Sequence, residues 1–498
     1  MLHDDWLLTS ISPEIVIGFI KYRLPPIWAI VSIFLIVLME SQVNHMSNLC
    51  PLDFRYGREE MKRVFCEESR LVFQMQVEAA LSRAHAAVGN IPAEAAERIS
   101  SIANMENISM ARVKEIEMDT KHDLMALVKA MTEKCGESGK YVHLGATSND
   151  IVDTATALQF KAALEIIIKD VDGLLLALAK LAKRERDTLE VGRTHAQFAI
   201  PITFGFKIAG YMAEMLRQRE RLQQILPRVA VGKMSGAVGT GAALGSSFFS
   251  IQEKTMDDLG LGYETAATQV VGRDRYTELI CLLANIATSL DRYGTEVRNL
   301  QRSEISEAME AFDVEKQVGS STMAQKKNPI TSENVCGLAR IVRGFVIPTF
   351  ESQVLWHERD LSNSSAERFV IPHVFVLLDD MLLKMTDVFT HLAVDRQRML
   401  RNIEMANGMI MAEPVMMALT GKGLGRQEAH ELVRETAMTA SREGKHLRDV
   451  LMESQEIRDL MNEQEIWEAM DPAGYVGGAP EIVDRLLDET SRVLGQDI

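Results

Sequence analysis

Ala157, Phe160, Leu164, Ile167, Val171, Leu174, Leu178 and Leu181 recur at alternating steps of three and four. That is the seam of a helix packed lengthwise against others. At roughly 1.5 Å per residue such a helix spans about 45 Å. Leu158, Ile166, Ile168, Leu175 and Leu176 make its other faces apolar as well, which a solitary amphipathic helix could not tolerate in water, so the helix needs neighbours on several sides. Similar long patterns cover 202–226, 273–311 and 330–352, and prolines are absent from 93–200, 228–328 and 373–413. Because an interior proline costs a helix roughly 3 kcal/mol, these gaps permit long helices. The fold expected is all-α, with a central long-helix bundle whose burial continues across the subunits of a homo-oligomer.

Four segments are expected. Residues 148–398 form the bundle. Residues 46–147 read as shorter helices joined by turns such as VGNIPAE and end at HLGATSND, where Asn149 or Asp150 is a candidate cap for the long helix. Residues 399–498, set off by AEP and TGKGLG and carrying DPAGYVGGAPEIVDRLL, form a C-terminal helical domain. Residues 1–45 hold the apolar run IWAIVSIFLIVLM at 27–39. It is shorter than the roughly 20 residues a spanning helix needs and lacks a signal-peptide cleavage pattern after it, so 1–45 reads as an upstream extension, with the functional chain starting at Met46 and no stable membrane association.

Composition narrows the classes. Hydrophobic residues make up 47%, aromatic residues only 6%, and Met reaches 28, which suits packed helices better than β-sandwiches. A net charge of −16 argues against nucleic acid as a partner, since phosphate binding rests on Lys and Arg. Cys50, Cys66, Cys135, Cys281 and Cys336 lie far apart with no C-x-x-C pair, which fits reduced thiols in a cytoplasmic protein and implies no structural metal.

The chemistry concentrates in a few stretches. GSSTMAQKKNP, 319–329, is a Gly-Ser loop that ends in Lys326, Lys327, Asn328 and Pro329 just before a helical pattern near Thr331. Backbone N–H groups at a helix N-terminus beside cationic side chains suit an anionic ligand or a developing oxyanion. A flexible linker would explain the Gly and Ser but not the ending. GRTHAQ, 192–197, sets His195 beside Thr194 at what reads as the end of one long helix and the start of another. KMSGAVGTGAALG, 233–245, is a Gly-rich turn that matches no P-loop or dinucleotide fingerprint.

GSSTMAQKKNP resembles the signature loop of the fumarase and aspartase superfamily, G-S-S-x-M-P-x-K-x-N-P, and departs from it once, with Ala324 in place of Pro. GRTHAQ is similar to the superfamily's G-R-T-H-x-Q block. The resemblance implies a three-domain fumarase/aspartase-like fold and an anti β-elimination. Ser320 would be the general base for the carbon beside a substrate carboxylate, Ser321 would contact substrate, and Lys326 and Asn328 would hold the carboxylate. Such a C–H is a very weak acid, so preorganised positive charge is needed before a serine can act on it. His195 would be the general acid on the departing nitrogen, with Thr194 beside the substrate. Glu333, a first-turn acid on the residues alone, would pair with that histidine.

Further blocks resemble the adenylosuccinate lyase family from about residue 51 to the end. DFRYG carries Arg55 and Tyr56, TKHD carries His122 and Asp123, and HLGATSNDIVDTA carries Thr147 and Ser148; WHERDLSNSSAER spaces Arg359, Ser364 and Arg368 as that family does for a substrate phosphate. Two arginines and a hydroxyl are what phosphate recognition requires. Gln269 and Arg273, in TQVVGRDR, are weaker candidates for substrate contact. What the resemblance implies is release of fumarate from adenylosuccinate, giving AMP, and from the succinocarboxamide intermediate of purine biosynthesis. It implies no metal or cofactor, and a cytoplasmic homotetramer whose sites are shared between subunits. The alternatives are another superfamily lyase, such as argininosuccinate lyase or carboxymuconate cycloisomerase, and a non-catalytic helical scaffold, which would have eroded Ser320, His195 or Lys326.

Overall fold

The seam residues build a helix of 37 residues, Ser148–Arg184 (α1), roughly 55 Å long. All eight seam side chains are buried. Its cap is neither of the two candidates. Thr147 takes the N-cap position of a capping box, and Asp150 at the third helical position accepts the Thr147 N–H at 2.8 Å, so the fit of a hydroxyl cap with an acid three residues on decides the start. Lys183 and Arg184 occupy the last turn, where they complement the helix dipole.

The computed structural model describes residues 49–311, 323 and 325–498. Residues 1–45, with the apolar run, lie outside the described residues, and so do residues 319–322 and 324 of the 319–329 loop. The chain divides into one unit ending at Tyr56 and another from Gly57 to Ile498. The described part of the first holds the short helix Pro51–Phe54.

Within the larger unit, α1 packs against Phe204–Val229 (α2) and Ser362–His391 (α5), while Asp274–Leu300 (α3) packs against α2, α5 and Ile330–Gly344 (α4). Aromatic contacts fasten the bundle. Phe160 meets Tyr276 edge-on at 4.9 Å and Phe375 at 6.0 Å, and Tyr211 stacks on Tyr293 at 4.4 Å. An apolar core of its own joins the helices Glu67–Ala87, Ala93–Ile102, Met110–Thr120 and Asp123–Cys135 to the first turns of α1. A further core gathers residues 403–470 around Val191. No helix among the described residues is long and apolar enough to cross a membrane.

Two long-helix expectations need correction. The 273–311 pattern stops as helix at Leu300; the chain then turns through Ser306, at φ 55°, into the strand Ala308–Met309, which pairs with Ala393–Val394. Glu307 explains the turn, because its buried carboxylate is drawn to Arg193 and Asn402 in other segments. The 330–352 pattern is two helices, α4 and Val346–Gln353. Pro348 has no N–H for the Gly344 carbonyl, so the ladder breaks there.

GRTHAQ is not a helix junction either. Leu189–Thr194 (β1) and Gln197–Thr203 (β2) form an antiparallel hairpin with Thr194 opposite Gln197. His195 and Ala196 are its two loop residues, at φ 52° and 61°. Positive φ at both central positions is the type I′ pattern that matches strand twist.

Arg58 joins α1 to α5. Its guanidinium lies 2.8 Å from both Asp170 and Asp379, so one cation serves two buried carboxyls. Burial, then the hydrogen bond and charge of Asp379, push Asp170 up to about 8, and burial also raises Asp379. An unfolded aspartate titrates near about 3.9. Between those values the folded chain holds a proton that the unfolded chain has lost, so this contribution to stability is full below about pH 4 and is lost as pH rises through about 8. Glu60, beside Arg58, and Asp380, paired with Lys384, are the other charges there. Asp379→Asn leaves Asp170 alone with Arg58 and should flatten the fall of melting temperature between pH 5 and 8; parallel curves for variant and wild type would reject this account.

Candidate active site

The hairpin apex exposes Thr194 and His195, while its root is locked. Arg193 donates to both oxygens of Glu307 at 2.8 and 2.7 Å, and Glu307 also accepts from Asn402 at 2.7 Å. Bidentate charge-assisted bonds fix direction as well as distance, so a side chain held in an uncommon backbone conformation is carried on a rigid root. Below it, Glu190 is fully buried with the Lys207 ammonium at 2.7 Å; burial pushes its carboxyl up to about 7 against the pull of that cation. A cavity of about 910 Å³ flanks the hairpin, lined by Thr194, Ala196, Phe198, Lys207, Arg292 and Glu296 among others.

A second group converges from three distant segments. His122 caps the helix Asp123–Cys135, with Nδ1 accepting from the Met125 N–H. In a neutral ring the proton therefore sits on Nε2, which lies 3.4 Å from Ser148 Oγ at the start of α1. Asp123 accepts from Arg368 of α5 at 2.8 Å, and Arg70 stands 3.6 Å away. Burial opposes ionisation of Asp123, but the Leu124 N–H and those two guanidinium groups outweigh it and hold the carboxyl below its ordinary range. His122, Asp123, Ser148 and Arg368 thus occupy one patch, with Thr147 as the helix cap next to it.

Gln269 and Arg359 form a further pair, Arg359 donating to the Gln269 side chain at 3.0 Å. The Arg359 Nε is buried with no hydrogen-bond partner among the described residues. Ser364 lies one helical turn before Arg368 on α5, so the two share a face. Arg273 is not available to a substrate. It donates to both oxygens of Asp153 at 2.8 and 3.0 Å and to those of Glu367 at 2.7 and 3.2 Å. Its donors are consumed in tying α1 to α5, and only 6% of its surface is exposed.

Of the 319–329 loop, Ser320 and Ser321 lie outside the described residues. Lys326 is exposed with its N–H on the Met323 carbonyl, and Asn328 is half-buried just before α4. Glu333 is exposed in the first turn of α4, and the orphan N–H groups of Thr331 and Ser332 are taken by Glu310 at 3.2 and 2.6 Å. Glu333 and His195 make no hydrogen bond to each other among the described residues. Arg55 and Tyr56 follow the helix Pro51–Phe54, in the other unit.

Some supporting residues carried no signal in the sequence. Lys233, from the Gly-rich turn, is fully buried and reaches Asp150 at 2.5 Å; Asp150 also accepts the N–H groups of Ser235 and Gly236. The turn is thereby pinned to the N-terminus of α1. His143, at φ 61°, has Nδ1 2.6 Å from Glu78. Burial disfavours its charged form, but buried Glu78 outweighs that and raises its pKa. Both pairs join residues more than 60 positions apart, which periodicity does not encode.

Comparisons agree on one kinship. A lyase family model matches residues 53–344, and a model of the adenylosuccinate lyase C-terminus matches 408–486. The adenylosuccinate lyase of Pyrococcus horikoshii is 51% identical over 438 residues, covering 88% of this chain and 97% of that protein. That of Methanothermobacter thermautotrophicus is 46% identical over 445 residues, covering 89% and 99%. Among solved structures, a fumarate lyase from Mesorhizobium sp. BNC1 superposes with a TM-score of 0.80 at 32% identity, covering 87% of this chain and 98% of that one. A 3-carboxy-cis,cis-muconate lactonizing enzyme from Pseudomonas putida gives 0.81 at 32% identity, covering 89% and 99%.

Proposed function

The chain belongs to the adenylosuccinate lyase family of the fumarase/aspartase superfamily, and from that premise we propose which of its residues perform the elimination. It is a C–N lyase that cleaves adenylosuccinate to AMP and fumarate. Ser320 takes the proton from the carbon β to the nitrogen. Lys326 and Asn328 bind the adjacent carboxylate, so that the electron pair left behind is held as an aci-carboxylate. The pair then closes the C=C bond of fumarate while the C–N bond breaks, and His195 delivers a proton to the departing nitrogen. Glu333 pairs with His195 and raises its basicity. Arg359, Ser364 and Arg368 take the phosphate, while His122, Asp123, Thr147, Ser148, Thr194, Gln269 and Ser321 position the nucleotide and succinyl groups. The succinocarboxamide intermediate offers the same phosphoribosyl and succinyl handles and is the second substrate of this site.

The observation that carries this reading is the convergence of His122, Asp123, Ser148 and Arg368 on one patch from segments up to 245 residues apart. A muconate has no phosphate for arginines to grip, which favours the nucleotide. A homotetramer with shared sites is the assembly we propose. The lack of a hydrogen bond between His195 and Glu333 among the described residues supports it, as do the exposed side chains of Ile341, Ile347, Phe350 and Val354. Among the described residues no disulfide joins Cys66, Cys135, Cys281 or Cys336, which suits a cytoplasmic setting.

The test is the ultraviolet absorbance of adenylosuccinate incubated with the purified protein, with fumarate quantified. Stoichiometric fumarate and AMP are expected. A folded oligomer that produces none, but that cleaves argininosuccinate, would overturn the substrate reading.

A further inference from the structure

We infer that Arg70 is an additional substrate-binding residue, a third arginine beside Arg359 and Arg368 in the group that takes the nucleotide phosphate; this rests on the reading that Ser364 and Arg368 face that phosphate. Arg70 lies in the first turns of the helix Glu67–Ala87, its side chain 30% exposed, and its guanidinium stands 3.6 Å from the same Asp123 oxygen to which Arg368 donates at 2.8 Å. A guanidinium carries five N–H donors. Among the described residues Arg70 uses none of them in a hydrogen bond, and Arg368 uses its own only on Asp123.

The arginines that fasten the fold look different. Arg58 has Asp170 and Asp379, Arg273 has Asp153 and Glu367, and Arg193 has Glu307 and Glu190. Each meets two acids or more. At the Asp123 patch the ratio is inverted, with two cations sharing one carboxylate whose other oxygen already accepts the Leu124 N–H at 2.8 Å. Asp123 therefore does not need Arg70 as a partner. Partly desolvated donors without acceptors cost stability unless a ligand supplies them, and the N-terminus of the helix Asp123–Cys135 adds its own positive end. A phosphomonoester, with its charge and three acceptor oxygens, completes the count.

Arg70→Gln and Arg70→Lys should be assayed with adenylosuccinate, and with succinyladenosine, which lacks only the phosphate, as competitive inhibitor. Arg368→Gln is the control. For Arg70→Gln the KM for adenylosuccinate should rise about 10- to 100-fold, the loss typical of a charge-assisted contact, with kcat nearly unchanged and the succinyladenosine Ki unmoved; Arg70→Lys should fall between. If only Arg368→Gln separates the two ligands, Arg70 has no part in phosphate binding and the inference fails alone. If neither variant separates them, the phosphate reading fails with it. Should Arg70→Gln not fold, Arg70→Lys gives the same decision, since a purely structural role would move both ligands together.

Discussion

Ser320→Ala and His195→Gln will each lower kcat for adenylosuccinate by about 10²- to 10⁴-fold, the usual range for removing a positioned base or acid. The double variant will lose less than the product of the two single losses, because proton removal and proton delivery serve one elimination and groups that act as a unit are not additive. His195→Gln is the sharper of the two. The side chain is exposed at the hairpin apex and makes no hydrogen bond among the described residues, and its backbone is fixed by Arg193 and Glu307 behind it. Melting temperature should therefore stay within a degree or two of the wild type, so a loss of rate reports chemistry. If sites are shared between subunits, mixing the two inactive variants and letting subunits exchange will restore activity, since some hybrid sites then contain both Ser320 and His195. A His195→Gln enzyme that keeps more than a tenth of its kcat would remove His195 from the acid role.

What the sequence disclosed followed from how far apart the interacting residues lie. The α1 seam was legible because helical periodicity is a local record of burial, and every seam residue is buried. The end of α3 was not, because Glu307 leaves the helix for Arg193 and Asn402, 114 and 95 positions away. The hairpin around His195 was missed because its I′ turn is made by His195 and Ala196 in place of the usual Asn-Gly. In the sequence Arg273 reads as a candidate substrate contact because a lone arginine beside glycine gives no sign that Asp153 and Glu367 consume it. The catalytic blocks were found through their resemblance to a family. Arg70, Glu78, Lys233 and Glu310 belong to no such block, and only the folded chain brings them to the groups they serve.

Lys233→Met should be the most destabilising single change of a side chain outside the reaction, by about 3–5 kcal/mol, the loss expected when one partner of a buried ion pair is removed. Neither side chain of the Lys233–Asp150 pair has any exposure. Asp150 also receives the N–H groups of Thr147, Ser235 and Gly236, so without the ammonium a carboxylate would remain buried with neutral donors only. Lys233 in turn donates to the Gly236 carbonyl at 3.2 Å, and its own backbone exchanges hydrogen bonds with Thr154 at 3.0 and 3.1 Å. The Gly-rich turn and the first turn of α1 are therefore one unit. Asp150→Asn combined with Lys233→Met removes both charges and should recover part of the stability, because the amide retains an oxygen for the backbone donors. Midpoints of urea unfolding for the two singles and the double give the coupling directly. Additive losses would mean that the pair contributes as two separate packed side chains. A double variant more stable than either single would identify the uncompensated charge as the cause, and would make this pair the device that holds Thr147 and Ser148 at the mouth of the site.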